Sequence, residues 1–163
     1  MLIRLAFLVV FVGAVGVFTG TIKPAEIWSK VPHPGQAVHK KLYVEMVSGD
    51  FQRLETLGGS MDFSECTGPA NAGACYATLQ QVLGALRAFD NDLKRVTPPK
   101  EFAATHASLQ KAVAKGIQGV TEAQRAVSTH RRRDWRQARR LLQASDALFL
   151  RALAQLPSES SSG

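Results

Sequence analysis

Cysteine is scarce in this sequence: its 163 residues contain two, Cys66 and Cys75. Two thiols cannot build a four-cysteine zinc site, and no Cys-x-x-Cys-His is present to attach a c-type haem. Glycine, at 13 scattered residues, is too sparse for a collagen-like or low-complexity chain. Alternation of period two is missing, and so are the Asn-Gly and Asp-Gly pairs that turn hairpins, so strands are not expected. Acidic residues are in the minority, 13 against 20 Lys plus Arg, leaving a net charge of +7. That balance favours anionic partners without naming one.

The residues that would carry chemistry are missing in the same way. The histidines are His33, His39, His106 and His130, and no two fall at i, i+3 or i, i+4, so one helix cannot offer a metal a histidine pair. Asp90 and Asp92 lie two apart and hence on different helix faces, while Glu122, Asp134 and Asp146 are isolated. Without Glu-x-x-His, a Gly-x-Ser-x-Gly elbow or a glycine-rich phosphate loop, no pair divides acid and base roles and no nucleophile is held. No catalytic residue, metal or cofactor is therefore expected.

What is present begins at the amino terminus. Leu5 to Ile22 is a run of eighteen residues without a charge, flanked by Arg4 and Lys23. As a helix it extends about 27 Å, just enough for a bilayer core. The apolar run continues past the small-x-small site Ala14-Val15-Gly16, so residues 1–22 are read as a retained transmembrane signal anchor rather than a cleaved peptide. Gly13, Gly16 and Gly20 form a small-residue stripe through which another membrane helix could pack closely. Residues 23–35 hold Pro24, Pro32, Pro34 and Gly35 and are read as an extended tether of up to about 40 Å.

Residues 36–156 read as helices. The clearest runs from about Ala77 to Val96, where Leu79, Val82, Leu86, Phe89, Leu93 and Val96 recur with 3-4-3-4-3 spacing. Thr97-Pro98-Pro99 ends it, and the next helix opens there and carries Phe102, His106, Leu109, Val113, Ile117, Val120 and Val127 to about Thr129. A third, about Arg133 to Leu156, faces inward with Trp135, Ala138, Leu142, Phe149, Ala152 and Leu156. An earlier one, about Gln36 to Leu57, carries Val38, Leu42, Met46, Phe51 and Leu54, with Ser48-Gly49-Asp50 as a point of interruption. The expected fold class is all-α: a single transmembrane helix followed by an antiparallel up-and-down four-helix bundle. The cysteines sit in a loop over 58–76, and residues 157–163 form a disordered tail.

A four-helix bundle invites comparison with haem proteins. Resemblance to soluble b-type cytochromes of this architecture would imply a methionine ligand near the start and a histidine near the end. Met46 could stand in for the first, but no histidine follows His130, so the resemblance lacks its second ligand.

The cysteine loop contains Gly68, Pro69, Asn71 and Gly73, and can fold back to pair Cys66 with Cys75. Disulfides belong to oxidising compartments, which places the bundle on the extracytoplasmic side. Lys23, Lys30, Lys40 and Lys41 after the apolar run count mildly the other way.

The most distinctive feature is basic. Arg131, Arg132, Arg133, Arg136, Arg139 and Arg140 place six arginines in ten residues. At about 100° per residue all but Arg131 fall within roughly 120° of the helix surface, opposite Trp135, Ala138 and Leu142. Guanidinium forks fit carboxylate and phosphate, so the face suits an acidic protein or anionic lipid headgroups. Nucleic acid is not expected: it needs cytoplasmic exposure or an uptake role, and no run of aromatic residues interleaves to stack bases. The combined reading is a non-enzymatic accessory or scaffolding subunit of a larger membrane complex, which docks by its transmembrane helix and its arginine face. The alternative, an exported ligand-binding or sensory bundle, requires an apolar cavity near Phe89, His106 and Trp135.

Overall fold

The computed structural model describes residues 35–59, 66 and 69–156. The apolar run with Gly13, Gly16 and Gly20, the tether up to Pro34 and the tail 157–163 lie outside the described residues. None of the described helices is long and apolar enough to cross a membrane. Four helices make up the body: α1 (Gln36–Gly58), α2 (Ala72–Arg95), α3 (Ala103–Thr129) and α4 (Arg132–Leu153), with one-turn 3-10 segments at Pro69–Asn71 and Lys100–Phe102. No strand occurs among the described residues.

The helices form a bundle in which chain neighbours are the main packing neighbours, α3 against α4 above all. Side-chain pairs set the directions. Thr105 Oγ1 donates to Gln155 Oε1 (2.9 Å), and Ser145 Oγ donates to the Ala112 carbonyl (2.8 Å). Positions thus rise along α3 as they fall along α4, and the two run antiparallel. The turn between them is tight because His130 takes a left-handed conformation, φ 53°, and donates its N–H to the Ala126 carbonyl. Histidine tolerates that region better than β-branched residues do, which suits it to end a helix without glycine.

At the other end, α2 stops at Arg95 and Val96 turns extended ahead of Pro98 and Pro99. Proline disfavours helical backbone before it and offers no N–H. The helix expected to open at Pro99 instead starts with the 3-10 turn and becomes α-helical at Ala103. The Thr97 carbonyl in this link pairs with His39 Nε2 of α1 (2.8 Å), and Lys40 forms an ion pair with Glu101. The first turn of α1 therefore sits level with the end of α2 and the start of α3.

The core is built from the expected stripes of α2 and α3. Leu79, Phe89, Leu93, Leu109 and Val113 are fully buried, and each such side chain is worth about 1.5–3 kcal/mol on leaving water. Phe149 of α4 stacks on Phe89 of α2 with centroids 6.0 Å apart, and tilts against Phe51 of α1 at 5.8 Å. These three rings join three helices at one level.

Three sequence expectations need correction. Helix α1 does not break at Ser48-Gly49-Asp50; Val47, Phe51 and Leu54 pack on either side, and together they outweigh the roughly 1 kcal/mol that a helical glycine costs. Its buried stripe includes Met46 and Leu54 as expected but differs towards the start of the helix. Tyr43 and Val47 are fully buried while Val38 is 52% exposed, because Tyr43, Val47, Asp50 and Leu54 share the inward side and Val38 lies opposite. Finally, the cysteine loop is shorter than 58–76. Helix α2 begins at Ala72, so Cys75 lies in its first turn, where it is bonded to Cys66 across a Cα separation of 5.6 Å. Closing this loop contributes about 2.5–3 kcal/mol on the chain-entropy account.

Candidate functional site

Helix α4 carries the site. It starts straight after the His130 turn, with Arg131 extended (ψ 122°) as its leading residue. Asp134 in the first turn suits the positive end of the helix dipole. The Thr129 hydroxyl donates to Asp134 Oδ2 (2.8 Å), and Arg125 Nε lies 4.0 Å from the same oxygen. Asp134 therefore stitches the start of α4 to the end of α3. Ala138, Ser145, Phe149 and Ala152 turn inward and are buried, with Trp135 and Leu142 packed at the margin. Close approach to α3 is possible because Gly116 and Gly119 carry no side chain. A Cβ at Gly119 would fall 2.9 Å from Leu142 Cγ and 3.1 Å from its backbone nitrogen.

With that side buried, the other is left to the arginines. Arg131 is exposed, and so are Arg133, Arg136, Arg139 and Arg140, which the spacing places on the outward side. Arg132 is the first residue of the helix. Among the described residues the ion pairs are Lys40–Glu101, Lys41–Glu45, Lys94–Asp90 and Arg125–Asp134, and none involves those five arginines. A concavity of about 350 Å³ opens between Arg133, Arg136, Gln137 and Arg140. A second, of about 240 Å³, lies between Glu122 and Arg125 of α3 and Arg131, Arg133, Asp134 and Gln137. Sequence reasoning missed Gln137 and Arg125. Gln137 follows Arg133 by four residues and so shares its face, a spacing that could have drawn attention to it. Arg125 is on another helix, and only the packing brings it here. This arrangement can hold discrete anionic groups between guanidinium forks.

The other titratable groups lie inside the bundle. His106 and Tyr43 are buried and share a hydrogen bond, 3.1 Å between Tyr43 Oη and His106 Nδ1. Burial raises the Tyr43 phenol to about 12 and lowers the His106 imidazole, so both stay neutral near pH 7. Phe89 and His106 are buried in the core, Phe89 against Phe149 and His106 against Tyr43. Among the described residues no group of three or more His, Cys, Asp or Glu is placed to hold a metal ion.

Two carboxylates are held away from water. Burial pushes Asp50 up to about 6, helped by the negative charge of Asp92 and opposed by Arg53. Burial does the same to Asp146, also to about 6. Asp50 Oδ2 is buried without a hydrogen-bond partner. Because the folded values lie above the unfolded ones, the two groups favour folding below about pH 4, and that contribution is lost as the pH rises through 6. His106 acts with the opposite sign: its lowered value costs stability as the pH falls below about 6.5. Asp50→Asn with Asp146→Asn isolates the carboxylates. The double variant is expected to be more stable than the parent at pH 7.5 by on the order of 1 kcal/mol, discounted for partial exposure, and to lose that advantage at pH 4. Thermal melts at the two pH values check this; an equal gain at both would rule out a titration effect.

No protein-family model matches the sequence, and no curated protein or solved structure is significantly similar to it.

Proposed function

We propose that this chain is a non-enzymatic, membrane-anchored accessory or scaffolding subunit of a larger membrane protein complex. In this reading residues 1–22 are the anchor, packing on a neighbouring membrane helix through Gly13, Gly16 and Gly20. Residues 23–35 are the tether, and an antiparallel up-and-down bundle stands on the extracytoplasmic side. The Cys66–Cys75 bond supports an oxidising compartment.

The observation that carries the reading is the exposed face of Arg133, Arg136, Arg139 and Arg140 on α4, none of which has a carboxylate partner among the described residues. Arg133 with Arg136, Arg136 with Arg139, and Arg136 with Arg140 are like-charge pairs at i, i+3 or i, i+4, each destabilising a helix by about 0.2–0.5 kcal/mol. An acidic docking partner removes that repulsion and supplies the missing counter-charges.

The test is native purification from membranes under mild detergent. The chain is expected to migrate within a larger assembly, and Arg133→Glu, Arg136→Glu and Arg140→Glu together are expected to release it. Migration of the unaltered chain on its own would overturn the reading.

A further inference from the structure

Helix α1 is held differently along its length. Its polar ties to the rest of the bundle lie in its first turns: His39 to the Thr97 carbonyl, Lys40 to Glu101 and Tyr43 to His106. Over residues 47–58, no hydrogen bond or ion pair joins it to another helix among the described residues. What holds this half is apolar: Val47 and Leu54 turned inward, and the Phe51 ring against Phe149. The chain is fastened again at Cys66, bonded to Cys75 in the first turn of α2. Residues 47–58 are thus secured at both ends and only packed in between. The α3–α4 pair is instead tied along its length, by Thr105 to Gln155, Ser145 to the Ala112 carbonyl and Thr129 to Asp134.

Two features of this half work against its closure. Asp50 lies on the inward side between Val47 and Leu54, and its Oδ2 is buried without a hydrogen-bond partner. Such a site tolerates the neutral acid far better than the anion, because an uncompensated charge out of water is the costlier burial. The charges acting on Asp50 are Asp92 of α2, which opposes ionisation, and Arg53 of α1, which only partly offsets burial and Asp92. Helix α4 meets this level with the Phe149 ring and carries a second buried carboxylate, Asp146, one turn earlier. Helix α3 meets α1 nearer its start, at the His106 imidazole, which burial keeps neutral. The other feature is Gly49, exposed and with nothing within 4 Å of an added Cβ. No close packing calls for glycine there, so it weakens the helix beside Asp50.

We propose that residues 47–58 form a pH-operated flap: loss of the Asp50 proton unwinds α1 at Gly49 and lifts this half off α2 and α4, while α3 and α4 stay packed. The sign follows from the raised value of the closed state. The acid form keeps the flap shut, and that contribution is lost as the pH rises through about 6. Opening exposes Val47, Phe51 and Leu54 together with the Phe149 ring beneath. The inference does not depend on the membrane-anchored reading.

The test is amide hydrogen exchange of the full chain in detergent micelles at pH 5 and pH 8, corrected for the intrinsic pH dependence of exchange. Protection over residues 47–58 is expected to fall about tenfold between the two, with α3 and α4 constant within about twofold. Asp50→Asn, close in size, is expected to remove the response, leaving the two values within about twofold. Asp146→Asn is expected to keep it. Gly49→Ala is expected to raise protection over 47–58 about fourfold at both pH values while leaving the response in place. No response in the parent, a response that survives Asp50→Asn, or one shared equally by α3 and α4 would overturn the flap. So would a loss of response in Asp146→Asn, or unchanged protection in Gly49→Ala.

Discussion

Phe89→Ala is expected to lower the stability of the bundle by about 3–5 kcal/mol, the range for truncating a fully buried phenylalanine. Phe89 has no exposed surface and stacks on Phe149, which in turn meets Phe51. Removing one ring leaves a void where α1, α2 and α4 converge, and the two remaining aromatics are fixed by their own helices and cannot collapse into it. Phe89→Leu keeps most of the volume and is expected to cost less than about 1.5 kcal/mol. Denaturant midpoints with unchanged slopes report both values. A loss below 1 kcal/mol for the alanine variant would mean the three rings do not hold the helices together.

The second large effect is a difference in sign. Gly84→Ala in α2 and Gly119→Ala in α3 make the same chemical change in helix interiors. Helix propensity favours alanine over glycine by about 0.8–1.0 kcal/mol. At Gly84 nothing lies within 4 Å of a new Cβ, so the full gain is expected. At Gly119 the Cβ would meet Leu142 at Cγ (2.9 Å) and at the backbone nitrogen (3.1 Å). A backbone nitrogen cannot rotate away, so α4 must shift outward. Overpacking of this kind costs about 1–3 kcal/mol, more than propensity returns. Gly84→Ala is expected to raise the melting temperature and Gly119→Ala to lower it, and a rise in both would show that the two helices have slack between them.

The same contrast explains how far the sequence could be read. Helices α2 and α3 were legible because Leu79, Leu86, Phe89 and Leu93, then Leu109, Val113 and Val120, are unambiguous apolar residues at helical spacing. Their inward phase could be assigned without knowing the neighbours. Helix α1 was legible as an element and in the burial of Met46 and Leu54, but not at Val38, Tyr43 and Val47. Its inward side includes a tyrosine hydroxyl and the Asp50 carboxylate, and hydrophobicity alone directed attention to Val38, which is exposed. Asp50 looked like part of a break and is instead desolvated within the buried stripe. The pairing of Cys66 with Cys75 followed from a short, turn-rich loop, whereas the start of α2 at Ala72 did not, because alanine and glycine carry little periodic signal.

For the candidate site, the outward direction of Arg133, Arg136, Arg139 and Arg140 was readable from 100° geometry against an apolar stripe. Their lack of carboxylate partners was not, since Asp134 on the same helix could have paired with them and instead joins Thr129 and Arg125 of α3.

Local spacing in the sequence was enough to determine that this protein is helical, that its cysteines can bond and that one helix turns arginines outward, because these depend on residues a few positions apart. Only the packed bundle decided that Tyr43 and Val47 of α1 are buried, where glycine admits a neighbouring helix, which carboxylates lose water, and that the arginines sit at the end remote from the start of α1. Those properties depend on what residues distant in the chain bring to the same place.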